Sequence, residues 1–333
     1  EQRLVFKVWL QSLFFGSIQP TKPIQAFIGE KGSGKSYNQR RVGLFLFGPH
    51  FNVNTLESQR EDDFIATITN TAYCAFDNAD SYISWLPDRL AQVATSTEIK
   101  RRKLYTNNQV ETYSPRCFIS INARTPNFKR DDVMDRLLPF KVKRYSHHVA
   151  ESQLTPELMD NRDQIWSEMM DDLNRVVDYL LNGEEQEFHH NFRMADFADF
   201  GWKAMRSRYD QKEDQNEMGQ IWLETLGKLS QAQTEEMLID DPTSMCLEVW
   251  MENLDNHGRE LRSKDLFVEL KTIGENHNIE MPFRGAQGFG RKMNQIVSNL
   301  SEYYRVKKRI GRNRVAFYSF FPNDENDEND ENE

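Results

Sequence analysis

Long hydrophobic runs are missing from this sequence. No stretch approaches the roughly 18 apolar residues that a bilayer crossing requires, and the most apolar N-terminal segment, Leu4 to Ile18, is interrupted by Lys7, Gln11 and Ser12. That segment reads as an amphipathic helix, without the basic start and cleavage site of a secretory leader. Cysteine is scarce too. Cys74, Cys117 and Cys246 stand far apart, which excludes a disulfide framework and fits buried thiols in a reducing compartment. The histidines include His147-His148 and His189-His190, but none stands at ligand spacing from a cysteine or carboxylate, so no structural zinc is expected. A cytoplasmic protein without a membrane partner is the expectation. Overall basic charge is absent as well, since the 333 residues carry −10. Residues 323–333 repeat Asn-Asp-Glu and supply −7 of it, leaving −3 for the rest. Residues 322–333 read as a disordered acidic tail. The chain starts at Glu1 without an initiator Met and reads as a piece of a longer protein or one that begins after processing, with two or three domains.

What is present is an octapeptide, Gly29-Glu30-Lys31-Gly32-Ser33-Gly34-Lys35-Ser36. It fits G-x-x-x-x-G-K-[ST], the phosphate-binding loop of nucleotide triphosphatases. Pro23 to Ile28 before it reads as a buried strand, and a helix pattern begins at Lys35. Gly29, Gly32, Ser33 and Gly34 let backbone N–H groups turn onto phosphate oxygens, and the helix N-terminus adds its positive end. Lys35 reaches the β- and γ-phosphates of ATP, and the Ser36 hydroxyl holds Mg²⁺.

The rest of the first half alternates strands with helices. Phe51 to Leu56 alternates with period two as a strand, and Asp62 to Thr69 is helical. Ala72 to Asn78 is an apolar run that ends in an acid. Asp77 at a strand end is the candidate carboxylate beside Mg²⁺. Asn78 follows it, and can orient water without accepting a proton. Asp80 either supplies the missing carboxylate or caps a helix beginning near Ser81 and running through Tyr82 to Val93. Lys100 to Tyr113 holds two short β-prone stretches around Asn107-Asn108, a hairpin with a polar tip. Cys117 to Ile121 is a buried strand that finishes at Asn122, which either contacts the γ-phosphate and its water or forms a turn. Phe128 to Arg136 reads as a short helix leading into a last strand, Leu137 to Lys143. Such interleaving describes a parallel α/β sheet with ATP at the strand carboxyl ends.

The combination of Phe76-Asp77-Asn78-Ala79-Asp80, Arg102 to Asn108 and Arg130 to Leu138 with the phosphate loop resembles the AAA+ ATPases of the pre-sensor-1 hairpin group. It is similar to helicase-like ATPases of phages and integrative elements, of the superfamily 3 and minichromosome-maintenance type. The resemblance covers residues 1–145 and extends more weakly beyond. It implies several roles. Ring ATPases of this type commonly carry Glu where Asn78 stands. Asn122 takes the sensor 1 place. Arg136 takes the place of an arginine finger given to a neighbour's nucleotide, with Arg130 and then Arg124 behind it, each otherwise a surface ion pair. A finger acting in trans implies a homo-oligomer, a hexamer. The hairpin would enter a central channel and grip single-stranded DNA through Arg101, Arg102 and Lys103, with Asn107 and Asn108 at the tip; otherwise those bases only solvate a helix end. Arg162 and Arg193 are sensor 2 candidates, and a missing N-terminal primase or origin-binding domain fits the family.

Beyond residue 145 the pattern is helical. Asp163 to Leu180 carries Ile165, Trp166, Met169, Met170, Leu173, Val176, Val177 and Leu180 at helical spacing, a core stripe. From Gly258 the composition shifts. Ser263 reads as the cap of a helix reaching Ile273. A second helix spans Phe289 to Leu300, and Tyr303 to Lys308 and Arg314 to Ser319 alternate as strands. Helices followed by a two-stranded wing describe a winged helix-turn-helix. Nine Lys and Arg against one acid lie between Arg284 and Arg314. Arg291 and Lys292 on a recognition helix, and Lys307, Lys308, Arg309, Arg312 and Arg314 on the wing, suit duplex DNA phosphates, although such a module also serves protein contacts. The expected fold is α/β: an AAA+ core over 1–145, a helical lid or linker over 146–257 and a winged helix over 258–321. The expected function is an ATP-dependent DNA-translocating motor, a hexameric replicative helicase of a mobile element or phage. The alternatives are an ATP-switched helicase loader or replication regulator, and a defence or signalling ATPase.

Overall fold

All five residues of β1 (Ile24–Ile28), which lies just after helix α1 (Gln2–Ser12), are buried. A strand buried along its whole length, with Gln25 its one polar residue, suits a parallel sheet covered on both faces. The computed structural model describes residues 1–57, 60–79, 83–102, 110–124, 131–144, 150–184, 188–238, 241–277, 279–301 and 303–323. Asp80, Lys103, Asn107, Asn108 and Arg130 lie outside them, as do the side chains of Arg101 and Arg102 and the tail from residue 324.

After β1 the chain forms α2 (Lys35–Phe47), β2 (Asn54–Thr55), α3 (Glu61–Asn70), β3 (Tyr73–Asp77), α4 (Leu86–Ala94), β4 (Ile99–Arg102), β5 (Val110–Tyr113), β6 (Phe118–Ala123), α5 (Asp131–Met134) and β7 (Leu137–Lys141). Five strands make one sheet in the order β2-β3-β6-β1-β7, all parallel. β7 is an edge strand, which tolerates Pro139 because the missing N–H would face outward. β4 and β5 form a separate antiparallel hairpin, with Ile99 opposite Tyr113 and Arg102 opposite Val110. It is inserted directly before β6.

Helices α6 (Glu151–Asp160), α7 (Arg162–Asn182), α8 (Ala195–Arg206) and α9 (Lys212–Leu238) follow. Helices α6 to α8 pack against the sheet domain. Residues 1–233 form one compact unit and 234–333 a second. The reason is packing. Trp166 stacks on Phe45 with centroids 4.9 Å apart, and its indole N–H donates to the Phe45 carbonyl at 3.0 Å. Met169 and Leu173 close the same cluster, and Asp196 accepts from the Thr21 amide at 2.8 Å.

In the second unit, α10 (Pro242–Met251), β8 (Leu261–Arg262), α11 (Ser263–His277), α12 (Ala286–Leu300), β9 (Tyr304–Ile310) and β10 (Ala316–Pro322) surround a core of Leu247, Trp250, Leu266, Leu270, Phe289, Met293, Ile296, Tyr318 and Phe320. Because α10 supplies part of that core, the expected boundary at 257 cuts through a folded unit. Asp241 caps α10, accepting from the Thr243 and Ser244 amides at 3.0 Å. The sheet order is β8-β10-β9, antiparallel, so a third strand joins the expected pair.

Several local expectations shift. Only Asn54–Thr55 of the predicted 51–56 strand pairs, since β2 is the outermost strand and holds two rungs with β3. The helix expected from Tyr82 begins at Leu86, with Pro87 in its first turn. Ser263 is already inside α11, and its buried hydroxyl finds no hydrogen-bond partner among the described residues, so it does not cap.

Helix α8 packs on α9 where Gly201 admits the fully buried Trp222. A Cβ on Gly201 would lie 2.1 Å from that ring, which is held by its bond to the Ala198 carbonyl at 2.9 Å. Gly201→Ala is expected to destabilise the first unit by about 1–3 kcal/mol, overpacking outweighing the gain of up to about 1 kcal/mol in helix propensity. Thermal or urea unfolding checks this.

Candidate nucleotide-binding site

The loop after β1 is shaped by its glycines. Gly32 and Gly34 have φ of +81° and +86°, a region that side chains disfavour. A Cβ on Gly29 would lie 2.3 Å from the Val142 carbonyl oxygen, so the loop could not pass the strand end with any other residue there. The turn is held by the Gly29 amide on the Ala123 carbonyl and the Val142 amide on the Ile28 carbonyl, at 3.2 and 2.7 Å. Ser33 is buried, and its Oγ makes no hydrogen bond among the described residues. The Lys35 ammonium folds back over the loop and donates to the Gly29 and Glu30 carbonyls at 2.7 and 2.9 Å. α2 then starts at Lys35 with its N-terminal end facing the loop.

Asn122 joins this loop to its neighbouring strand ends. It stands on β6 opposite Phe27 of β1 and is 2% exposed. Its Nδ2 donates to Ser36 Oγ at 3.2 Å and to Gln39 Oε1 at 2.8 Å. Its Oδ1 accepts from the Asn78 amide at 3.1 Å, and its main-chain carbonyl accepts from the Ala79 amide at 2.9 Å. Gln39 continues the chain of bonds to the Phe76 carbonyl and Ser120 Oγ, at 3.2 and 3.1 Å. Asp77 ends β3, two strand spacings from β1, a separation of about 10 Å. Asn78 adopts φ +68°, a conformation that asparagine tolerates far better than glutamate. Backbone shape, and not only proton chemistry, therefore bears on the residue found there.

The arginines divide between the two edges of the sheet. Arg136 precedes β7, and Leu137 pairs with Ile24 at the start of β1. It thus lies at the amino edge, roughly 16 Å along a five-residue strand from the phosphate loop. Its side chain is 13% exposed and approaches Asp132 at 4.0 Å. Arg193 bonds Asp135 at 2.7 Å on that same edge. Arg162 donates to the Phe45 carbonyl at 2.8 Å, near the far end of α2 and about 15 Å along the helix axis from the loop. Neither sensor 2 candidate therefore reaches its own loop. Arg144, which the sequence reading overlooked, does lie beside it: its Nε is 4.0 Å from where a Cβ on Gly32 would sit. The available signal was topological, because Arg144 follows the strand that flanks β1.

A cavity of about 760 Å³ opens next to Arg144. Phe6, Phe27, Val42, Phe45 and Phe140 give it apolar walls, with Asn38 and Arg41 at its polar side. It adjoins the helix that leaves the phosphate loop.

The basic residues of the second unit are placed unevenly. Arg291, Lys307, Lys308, Arg312 and Arg314 are exposed. Lys292 is not available to a phosphate as expected, because its ammonium is drawn onto the nearly buried Asp241 carboxylate at 2.6 Å. Arg309 is forked to Glu260 at 2.9 and 2.7 Å.

Because the Asn122 side-chain amide serves three groups at once, Asn122→Ala is expected to lower stability by about 1–3 kcal/mol through unsatisfied buried partners. Denaturant unfolding of the variant reads that loss.

No curated protein matches this chain. Among solved structures, the NrS-1 C-terminal region aligns over 95% of this chain and 71% of its own, at 13% identity and a TM-score of 0.43. JCV helicase aligns over 71% and 64%, at 11% identity and a TM-score of 0.26. Among the described residues no helix is long and apolar enough to cross a membrane. Residues 6–207, from α1 through the phosphate loop, the hairpin and β7 to α8, match the family model of the actinomycete integrative conjugative element replication protein, and the chain belongs to that family.

Proposed function

We propose that this replication-family protein is an ATP hydrolase of the AAA+ type that moves along DNA. One observation carries the reading: the hydrogen-bonded junction of Ser36, Asn122 and Asn78 beside Asp77, at the carboxyl ends of three adjacent strands. A phosphate loop at the end of the central strand, coupled to a polar residue on the next strand, suits a site where nucleotide state is felt by the fold.

The residues fit the triphosphate and Mg²⁺. Ser36 and Asp77 offer the hard oxygen donors that Mg²⁺ takes, and the ion supplies charge neutralisation on the phosphate oxygens. Lys35 would exchange its two carbonyl acceptors for phosphate oxygens. Ser33 has an unused hydroxyl facing the same loop. Asn122 orients the Ser36 hydroxyl and holds the turn at Asn78, whose amide side chain can position water. Arg144 sits beside the loop in cis, and the cavity next to it suits the adenine base. Arg136, on the opposite edge, suits donation to a neighbouring protomer's nucleotide, where a guanidinium neutralises charge that develops during transfer. That geometry favours a ring, and a hexamer is the form proposed. Release of Arg136 from Asp132 would accompany assembly.

The β4–β5 hairpin stands directly before the strand that carries Asn122. A shift at the nucleotide is thereby passed to a basic projection suited to single-stranded DNA. The second unit, with three helices, a short strand and a β-hairpin over one core, is proposed as a winged helix that engages DNA. Asn78 favours a second reading, an ATP-switched loader or regulator with slow turnover, because its amide cannot accept a proton.

Lys35→Ala is expected to reduce phosphate release to background, and retained turnover overturns the site assignment. Arg136→Ala is expected to lose hydrolysis while keeping nucleotide affinity, and mixing it with Lys35→Ala protein should restore part of the activity. Absence of rescue counts against a finger in trans. Strand displacement by the wild-type chain separates the motor from the loader.

A further inference from the structure

The outer face of the three-stranded sheet in the second unit has two aromatic rings that its core does not use. Along β10, Tyr318 and Phe320 point inward and are buried, while Phe317 and Phe321 fall on the other face and take no part in the core cluster. Pairing sets basic residues directly across from them. Phe317 lies opposite Arg309 on β9 and Arg262 on β8, and Phe321 lies opposite Arg305. The Arg309 guanidinium is 4.3 Å from the Phe317 centroid, and Arg305 and Lys307 are 5.0 and 5.3 Å from that of Phe321.

We propose that this face is a stacking platform for single-stranded nucleic acid, taking unstacked bases at Phe317 with Arg309 and at Phe321 with Arg305 and Lys307. The inference rests on the reading of the chain as a DNA-acting protein and names the form of DNA that its second unit takes. Three features carry it. The rings are pre-positioned, because glycine backbone packs against each: a Cβ on Gly311 would lie 2.7 Å from Phe317, and one on Gly258 2.6 Å from Phe321. The charges have separate tasks. Arg309 already shares its charge with Glu260 through two bonds while its guanidinium stays over the Phe317 ring, and guanidinium planes accept bases as aromatic rings do. Arg262 and Lys307 bring charge for the sugar–phosphate backbone. Finally, the rings are four residues apart on one strand, about 13 Å. That distance suits the separated bases of an extended strand and not the stacked 3.4 Å spacing of a duplex. A duplex also has no free base faces to offer along its length.

The test measures affinity of the full chain for an oligothymidylate and for a mixed-sequence duplex over a salt series. Phe317→Leu and Phe321→Leu should each weaken oligothymidylate binding about tenfold without changing the salt slope, since stacking releases no counterions. Phe321→Tyr should retain the affinity, which separates loss of the ring from loss of folding. Lys307→Gln and Arg262→Gln should flatten the slope. Oligothymidylate affinity untouched in both leucine variants overturns the platform while leaving DNA binding in place, as does an equal loss for single strand and duplex. Wild-type chain that holds polyglutamate but not oligothymidylate overturns it in favour of an acidic protein partner. If neither DNA binds, the DNA-acting reading falls with it. Phosphate release by the wild-type chain reads the nucleotide site independently of this face.

Discussion

One buried amide couples the parts of the first unit that matter for chemistry. Asn122 on β6 bonds at once to the phosphate-loop helix through Ser36 and Gln39, and to the end of β3 through the Asn78 backbone. In a low-dielectric interior such a network holds only if each member is satisfied. The position of the Ser36 hydroxyl, the turn after Asp77 and the carboxyl end of the central strand are therefore set together. The hairpin precedes this same strand in the chain.

The two edges of the sheet separate two kinds of positive charge. Lys35 and Arg144 stand at the carboxyl edge with the loop. Arg136 and Arg193 stand at the amino edge, engaged by Asp132 and Asp135, where their own loop is out of reach. The second unit divides its charges in another way. Lys292 and Arg309 are engaged by carboxylates, and Arg262, Arg305, Lys307 and Arg309 gather around two rings on one sheet face.

Much of the site was legible from residue order. The phosphate loop is a local pattern whose glycines are demanded by backbone shape, so Gly32 and Gly34 announce their φ angles in the sequence. Asp77 and Asn122 stand near one edge because each ends an apolar run, and strand ends in a parallel sheet converge there. The hairpin between β4 and β5 followed from two β-prone segments around a polar turn. Arg144 was not legible, because its value comes from β7 lying beside β1, which no local pattern reveals. The same holds for Asn78, where the missing carboxylate stands out in the sequence and the left-handed backbone does not.

Composition and periodicity decided the classes of element, the strand before the phosphate loop and the basic character of residues 284–314, because these depend on neighbours a few positions apart. Which residues share a face was decided by long-range packing. Trp166 against Phe45 binds the helices to the sheet domain, α10 joins the C-terminal core, and the register of β10 against β9 turns a scattered set of arginines and phenylalanines into one surface. Those outcomes depend on pairings across tens to hundreds of residues, where burial of apolar area outweighs local preference and no sequence window is wide enough to record it.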